Sequence, residues 1–308
     1  MSVFLPRTPD EIAASWPAEL DHFSASGSKM AVRCPEQWRQ HYVLGLTEPP
    51  DSARLWGRAD HHAIERNYLH KLDTYEDLPV GDVAELFAVN FDEEVSEAGG
   101  PREIKWKHVP VSDDRKAAAW TKDQGVKLVT MYREEVTPYF QPTQVEQEFS
   151  FDLPFLPVPV VGRIDLIVTD TSAFGPTPVK PGEQPARRIQ DRKTSGSPPR
   201  KINPDWAWQA AVYQLVEELP FEWHFSVKPK EGKRKQIPKI VWGSNDFVQL
   251  PPTRAKTIRA LEMVVASIGH YMTVYGPDQP WPPHGKYNPI WNGSACDYCG
   301  FRPTCFWW

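Results

Sequence analysis

Cysteine is scarce in this sequence, at 4 of 308 residues. That excludes a scaffold stapled throughout by disulfides, because such chains carry cysteine at several times this density. Long apolar runs are missing too. None approaches the roughly 18 consecutive apolar residues that a membrane span needs. The first residues, MSVFLPRTPDEIAASW, lack a basic-then-apolar signal pattern, so a soluble intracellular protein is the expectation. No G-x-x-x-x-G-K-[ST] phosphate loop is present, so any nucleotide-driven motor would have to be a separate partner. Internal repeats and low-complexity tracts are absent as well. Nor does one sign of charge dominate. The formal net charge of −5 does not exclude nucleic-acid binding, because local charge matters more than the sum.

What is abundant is proline, 32 residues or about 10% against a usual 5% or so, which predicts many stiffened loops. With 40% hydrophobic residues the chain can bury one large core or two modest ones. Residues 22–46 predict a helix entered through serines, with Cys34-Pro35 inside or beside it. Residues 54–72 predict a second helix, and apolar spacings of three and four predict amphipathic helices over 83–97 and 115–137. From about residue 143 the pattern changes. TQVEQEFSFDL (143–153) alternates, and VPVVGRIDLIVTD (158–170) is rich in branched residues, so both predict strands. A Gly/Pro-rich insertion leads to a short strand in ARRIQDRKTSG. A helix over 206–219, a strand pair over 221–230 and 239–250 with a basic tip, and a long helix over 253–276 follow. The predicted division is a helical region over 1–142, an α/β core over 143–252, and a C-terminal helix with a cysteine segment over 253–308.

The chemistry concentrates at Asp165, in GRID, and at Asp191-Arg192-Lys193. Residues two apart in a strand share a face, so Asp191 and Lys193 project together with Asp165 on the neighbouring strand. Two carboxylates suit a hard cation such as Mg²⁺ or Mn²⁺. A lysine beside them can orient or deprotonate a water, or stabilise charge on a phosphate. An ordinary surface ion pair is the plainer alternative for Asp-x-Lys alone. Arg192 points to the opposite face. Glu146, one strand earlier, is either an accessory carboxylate or a strand-surface residue.

The four cysteines are Cys34, Cys296, Cys299 and Cys305. A shared metal site fits this clustering better than two disulfides in a reducing interior, and four thiolates suit either zinc or iron–sulfur. The run VKPKEGKRKQIPK holds Lys228, Lys230, Lys233, Arg234, Lys235 and Lys239. It is either a phosphate-gripping hairpin or a solvated turn. Thirteen tryptophans could include stacking platforms for bases, although most belong to packing.

GRIDLIV (162–168) followed by IQDRKTSG (189–196) resembles the GxxD and (D/E)xK motifs of the PD-(D/E)xK nuclease superfamily, and more closely its RecB-like branch. The resemblance implies a restriction-endonuclease-like α/β fold, a small central mixed sheet flanked by helices. It implies a Mg²⁺- or Mn²⁺-dependent deoxyribonuclease. Gly57-x-x-x-His61 matches the upstream motif whose histidine binds metal, which makes His61 a ligand with Asp165, Asp191 and the carbonyl of Arg192. Lys193 then acts on the water or the phosphate. Glu65, one turn after His61, reads as a helix-surface or supporting group. Gln209-x-x-x-Tyr213 matches the helical QxxxY motif, which touches DNA or the catalytic lysine. The S-x-S…Cys34-Pro35 segment and the terminal C-x2-C-x5-C are similar to the iron–sulfur members of this branch, CRISPR-associated RecB-like exonucleases and AddB. That implies a [4Fe-4S] cluster on the four cysteines, with zinc as the alternative. The 26 positions from Asp165 to Asp191 exceed the usual connection, which predicts a protruding hairpin loop there.

By this analogy the substrate is DNA, and the favoured activity is an exonuclease on single strands or ends. Recombination, repair or CRISPR-type partners would suit it, in the cytoplasm of a bacterial or phage-infected cell. A structure-selective endonuclease and a non-catalytic DNA-binding subunit are the alternatives.

Overall fold

The structure, a computed structural model, describes residues 8–107, 109–170, 186–230, 235–282, 296, 299–302 and 305. Its N-terminal part is organised by helix caps. The Thr8 side chain accepts from the Glu11 N–H, and Glu11 reaches back to the Thr8 N–H, opening α1 (Pro9–Ser15). After β1 (Phe23–Ser24), the Ser24 hydroxyl accepts from Gly27 N–H and opens α2 (Ala25–Arg33). The predicted helix over 22–46 therefore keeps its serine entry, but it breaks at Cys34. A residue before proline is pushed out of the α region, and Cys34 is extended at φ −159°, ψ 111°. The chain restarts as α3 (Pro35–Trp38) and a π turn at Arg39–Val43.

Three long helices follow: α4 (Ser52–Thr74), α5 (Val80–Glu97) and α6 (Asp114–Glu135). They bury Trp56, Phe87, Phe91 and Leu128 against one another. Gly125 lets α6 approach α5, since a Cβ there would stand 1.9 Å from the Phe87 ring.

The sheet begins as an antiparallel meander of β2 (Phe140–Phe151), β3 (Val160–Asp170) and β4 (Arg187–Ser195). The chain crosses over through α7 (Pro204–Tyr213) and returns as β5 (Phe221–Val227), parallel to β4. Parallel neighbours need such a crossover. β1 runs parallel to the first two residues of β3. All seven residues of β5 are buried, as expected of a strand covered on both faces.

Two of the predicted elements are shorter than expected. α7 stops at Tyr213 rather than 219, because Gln214 turns its amide to the carbonyls of Leu219 and Gln249. The predicted strand over 239–250 is divided into β6 (Lys239–Val241) and β7 (Val248–Gln249), which pair with opposite ends of β5. Between them Gly243 takes a left-handed φ of 72° and a 3-10 turn spans Asn245–Phe247.

α8 (Arg254–Tyr275) completes the layer that packs with α2 and α7 over one face, around Trp223, Phe225, Leu261 and Val265. α4, α5 and α6 cover the other face. The predicted loop between β3 and β4 lies mostly outside the described residues. Among the described residues no helix is long and apolar enough to cross a membrane.

Candidate metal centre

The sheet and α4 bring His61, Asp165 and Asp191 together, with one ligand atom from each lying within 4.8 Å of the others. Strand register accounts for the carboxylates. Leu166 pairs with Gln190 across antiparallel β3 and β4, so the neighbouring Asp165 and Asp191 come level. Two-residue alternation then sets Lys193 beside Asp191, with Nζ 2.6 Å from Oδ2.

From α4, His61 Nδ1 lies 3.6 Å from Asp165 Oδ2, and Nε2 donates to the Arg192 carbonyl at 2.7 Å. A carbonyl only accepts, so this contact puts the proton on Nε2. In that tautomer Nδ1, on the Asp165 side, is the imidazole nitrogen left free to hold a cation. Asp191 Oδ1 is buried and without a hydrogen-bond partner, a vacancy that a cation would satisfy. Two carboxylates, an imidazole and a carbonyl thus fit a small divalent cation.

The local charges reinforce this chemistry. Burial pushes the Asp165 carboxyl up; His61 opposes the rise and Asp191 adds to it. Burial alone would lower the Lys193 ammonium, but Asp191 and Asp165 outweigh it and hold the group above its ordinary value. Lys193 is therefore a cation here. Glu146 faces the same small pocket as His61, Glu65 and Asp165, a cavity of about 40 Å³. Val145 pairs with Leu166 and Gln147 with Ile164, so Glu146 stands level with Asp165, but its φ of +52° breaks the ladder there. Burial and the Asp165 charge raise its carboxyl to about 7, while Arg163 holds it at 2.6 Å.

Gln209 and Tyr213 lie one turn apart on α7, and Gln209 Nε2 donates to the Tyr213 hydroxyl at 2.9 Å. Their partner is Lys29 of α2, whose ammonium donates to Gln209 Oε1 at 3.2 Å. The basic hairpin divides. Lys228 lays its ammonium 4.2 Å over the Trp56 ring, and burial pulls it down to about 8 against the opposing pull of Asp60 and Asp51. Lys230 and Lys235 are exposed. Lys233 and Arg234 lie outside the described residues.

At the ends of the chain the four cysteines form no disulfide. Cys34 is buried, and its thiol is pushed up to about 12 by burial, with Cys299 and Cys296 near enough to add to the rise. Burial likewise lifts Cys299 to about 11, with Glu48 and Cys305 adding. The thiols neighbour one another, although no three converge as closely as the His–Asp–Asp group.

Sequence reasoning missed two partners of this centre. The Arg192 side chain is the first. Its guanidinium pairs with buried Asp60 at 2.8 Å, bonds the Ser226 hydroxyl and lies 4.0 Å over the Tyr132 ring. Asp60 and His61 therefore grip residue 192 by its side chain and by its carbonyl. The signal was present: Asp60 falls on the helix face that carries Trp56 and Ile64, where a charge needs a buried partner. Lys29 is the second, and nothing in its local sequence singles it out.

The profile of the PD-(D/E)XK nuclease superfamily matches residues 22–306. No curated protein matches the chain in sequence. Among solved structures, the crystal structure of SSO0001 aligns with 96% of this chain and 93% of its own, at 12% sequence identity and a TM-score of 0.36. A likeness that distant adds no argument. The family match does, because it spans nearly the whole chain and takes in the metal centre, its lysine and all four cysteines. Its nucleases use divalent metals, as this donor set would allow, and the mixed sheet flanked by helices has their restriction-endonuclease-like form. The chain belongs to the PD-(D/E)XK nuclease superfamily.

Proposed function

We propose that the protein is a Mg²⁺- or Mn²⁺-dependent deoxyribonuclease acting on single strands or DNA ends. The observation that carries the proposal is the convergence of His61, Asp165 and Asp191 beside a charged Lys193. His61, the two carboxylates and the Arg192 carbonyl would hold the cation, which when bound supplies Lewis acidity and an activated water. The protein's own groups do the rest. Asp191 keeps Lys193 in place, so its N–H groups can stabilise the charge that develops on a phosphoryl oxygen. The Gln209–Tyr213 pair on α7 holds the Lys29 ammonium instead. The exposed Lys230 and Lys235, with Lys233 and Arg234 beside them in sequence, would hold neighbouring phosphates, with affinity that falls steeply as salt rises. Lys228 drops out of that grip because its ammonium is engaged on Trp56.

For the four cysteines the proposal is a [4Fe-4S] cluster, on the similarity of their order and spacing to the iron–sulfur members of the RecB-like branch. Buried thiols with raised pKa values are costly to ionise without a metal, and a metal that binds them adds its energy to folding. Elemental analysis separates iron with sulfide from zinc. Cys34→Ala should lose the metal and lower Tm; an unchanged metal content would reject the assignment.

The nuclease itself is tested on linear DNA labelled separately at each end, and on a closed single-stranded circle, with Mg²⁺ or Mn²⁺. Shortening of the linear strands that disappears in Lys193→Ala supports an exonuclease, and the label lost first gives its polarity. Cleavage of the circle would make it an endonuclease. No cleavage by metal-replete protein would leave a DNA-binding subunit.

A further inference from the structure

We propose that Lys29 binds a DNA phosphate next to the one being cut, forming with Lys193 a two-cation track between α2 and α7. The inference rests on the deoxyribonuclease reading above and names a contact that the family motifs do not contain.

The track begins with the seating of α2. Three contacts fasten it to α7: Lys29 Nζ to Gln209 Oε1 at 3.2 Å, Trp208 Nε1 to Ser28 Oγ at 2.8 Å, and Arg33 to Asp205 at 3.5 Å. Lys29 is therefore a positioned group and not a swinging surface chain. An ammonium has three protons to donate. Among the described residues Lys29 has one hydrogen bond, to a neutral amide, and no carboxylate within ion-pair distance. The nearby Asp205 already faces Arg33, and Asp191 is taken by Lys193.

Lys29 is partly buried, with Lys193 near enough to oppose its charge, and the carboxylates that offset it, Asp205 and Asp191, are already paired with Arg33 and Lys193. Two like charges brought together in a partly buried place are unfavourable unless something negative joins them. A cation on Asp165 and Asp191 would deepen the imbalance, because it engages the carboxylates that now offset Lys193. A phosphodiester chain supplies one negative charge per nucleotide at a regular spacing, so a strand with one phosphate at Lys193 can offer the next to Lys29. Both side chains are partly exposed, which leaves the track open to such a strand.

The test is binding of a fluorescent single-stranded oligonucleotide to metal-free, cluster-replete protein across a salt series. Removing one phosphate contact should weaken binding several-fold and flatten the slope of log K against log salt by about 0.7. Lys29→Gln should show both effects, and Lys29→Arg should restore both. Ser28→Ala removes the Trp208 tie between α2 and α7 but keeps the ammonium, so it should leave the slope unchanged even where Tm falls. If Lys29→Gln leaves slope and affinity at wild-type values, or if Ser28→Ala flattens the slope equally, Lys29 is only a structural tie and the proposal is overturned. Wild-type protein that binds but never cuts would defeat the nuclease reading while the slope still decides the role of Lys29.

Discussion

The metal centre and the junction of the two chain ends are built from different materials. At the centre, β3 and β4 deliver Asp165, Asp191 and Lys193 by register, and the supporting groups are buried charges. Asp60 meets Arg192 at 2.8 Å, and Arg188 meets Glu222 at 2.9 Å, with each of these four side chains less than a tenth exposed. At the junction, Trp38 stacks on Trp281 at 5.9 Å, and Trp281 stacks on Tyr271 at 5.5 Å. One carboxylate, Glu36, ties the stack together by accepting from Trp281 N–H and from Arg39, whose guanidinium also reaches the Pro277 carbonyl. Cys34 sits one residue before this packed segment, at the break into α3. A cluster on the cysteines would therefore reinforce a joint that packing already closes. The centre has no such reserve, because a buried charge that loses its partner is worse than no charge at all.

The most direct way to sharpen that contrast is to break each region once. Asp60→Ala strands the Arg192 guanidinium and should cost about 3–5 kcal/mol. Trp281→Ala leaves a large cavity in the stack and should also cost about 3–5 kcal/mol. Urea unfolding would give similar losses, yet turnover at saturating DNA should separate the two. Asp60 neighbours His61, and both fix residue 192, so its loss should disturb the ligand set. The Trp281 variant should keep its turnover while it is folded. Equal losses of turnover would show that the junction and the centre act as one unit.

Next in size is Lys193→Ala. Removing a preorganised donor to a developing charge should lower turnover by about 10²–10³-fold. Its stability should change far less than that of Asp60→Ala, since Lys193 is one-fifth exposed and water can enter beside Asp191. Single-turnover cleavage alongside thermal unfolding checks both halves of this expectation.

The buried Glu222 pair within the sheet should make stability depend on acid. Burial alone would raise the Glu222 carboxyl, but His224 and then Arg188 overcome it and hold the group down at about 2. A carboxylate depressed in the folded state contributes stability that is complete above its unfolded value, near 4.5. That contribution is lost as pH falls from about 4.5 through 2, and it amounts to roughly 3 kcal/mol. Urea midpoints measured between pH 5 and 2.5 should fall in the wild type. The fall should be shallower in Glu222→Gln; the same slope in both would remove Glu222 as the source.

How far the sequence reveals these regions follows from what each depends on. Asp165, Asp191 and Lys193 are local: a GRID strand, a D-x-K strand and a period of two place them without knowledge of the rest of the fold. His61 needed only its spacing from Gly57. The Cys34 break was half legible, since a Cys-Pro step disfavours helix, whereas the apolar spacing on either side suggests continuity. Asp60 with Arg192, Lys29 with Gln209, and Trp38 with Trp281 are pairings between distant segments. Periodicity can say that Asp60 is buried, but the partner 132 positions away is chosen by how α4 lies across β4. The same limit explains Lys228. A run of lysines reads as a solvated tip, and only the tertiary contact with Trp56 of α4 shows that one of them is held.

The smallest effect bears on the hydroxyl of Tyr213. Tyr213 is only 7% exposed, and its oxygen accepts from Gln209, which in turn accepts from Lys29. Tyr213→Phe keeps the ring and its edge contact with Phe149 while it removes one end of that chain. A neutral hydrogen bond of this kind contributes about 1 kcal/mol. The variant should therefore unfold slightly earlier in urea and keep turnover close to wild type, because the ammonium of Lys193 is held by Asp191 and not by Tyr213. A tenfold fall in turnover at unchanged stability would instead mean that the hydroxyl touches the reacting strand. The α7 pair would then belong to the chemistry of the centre and not to its support.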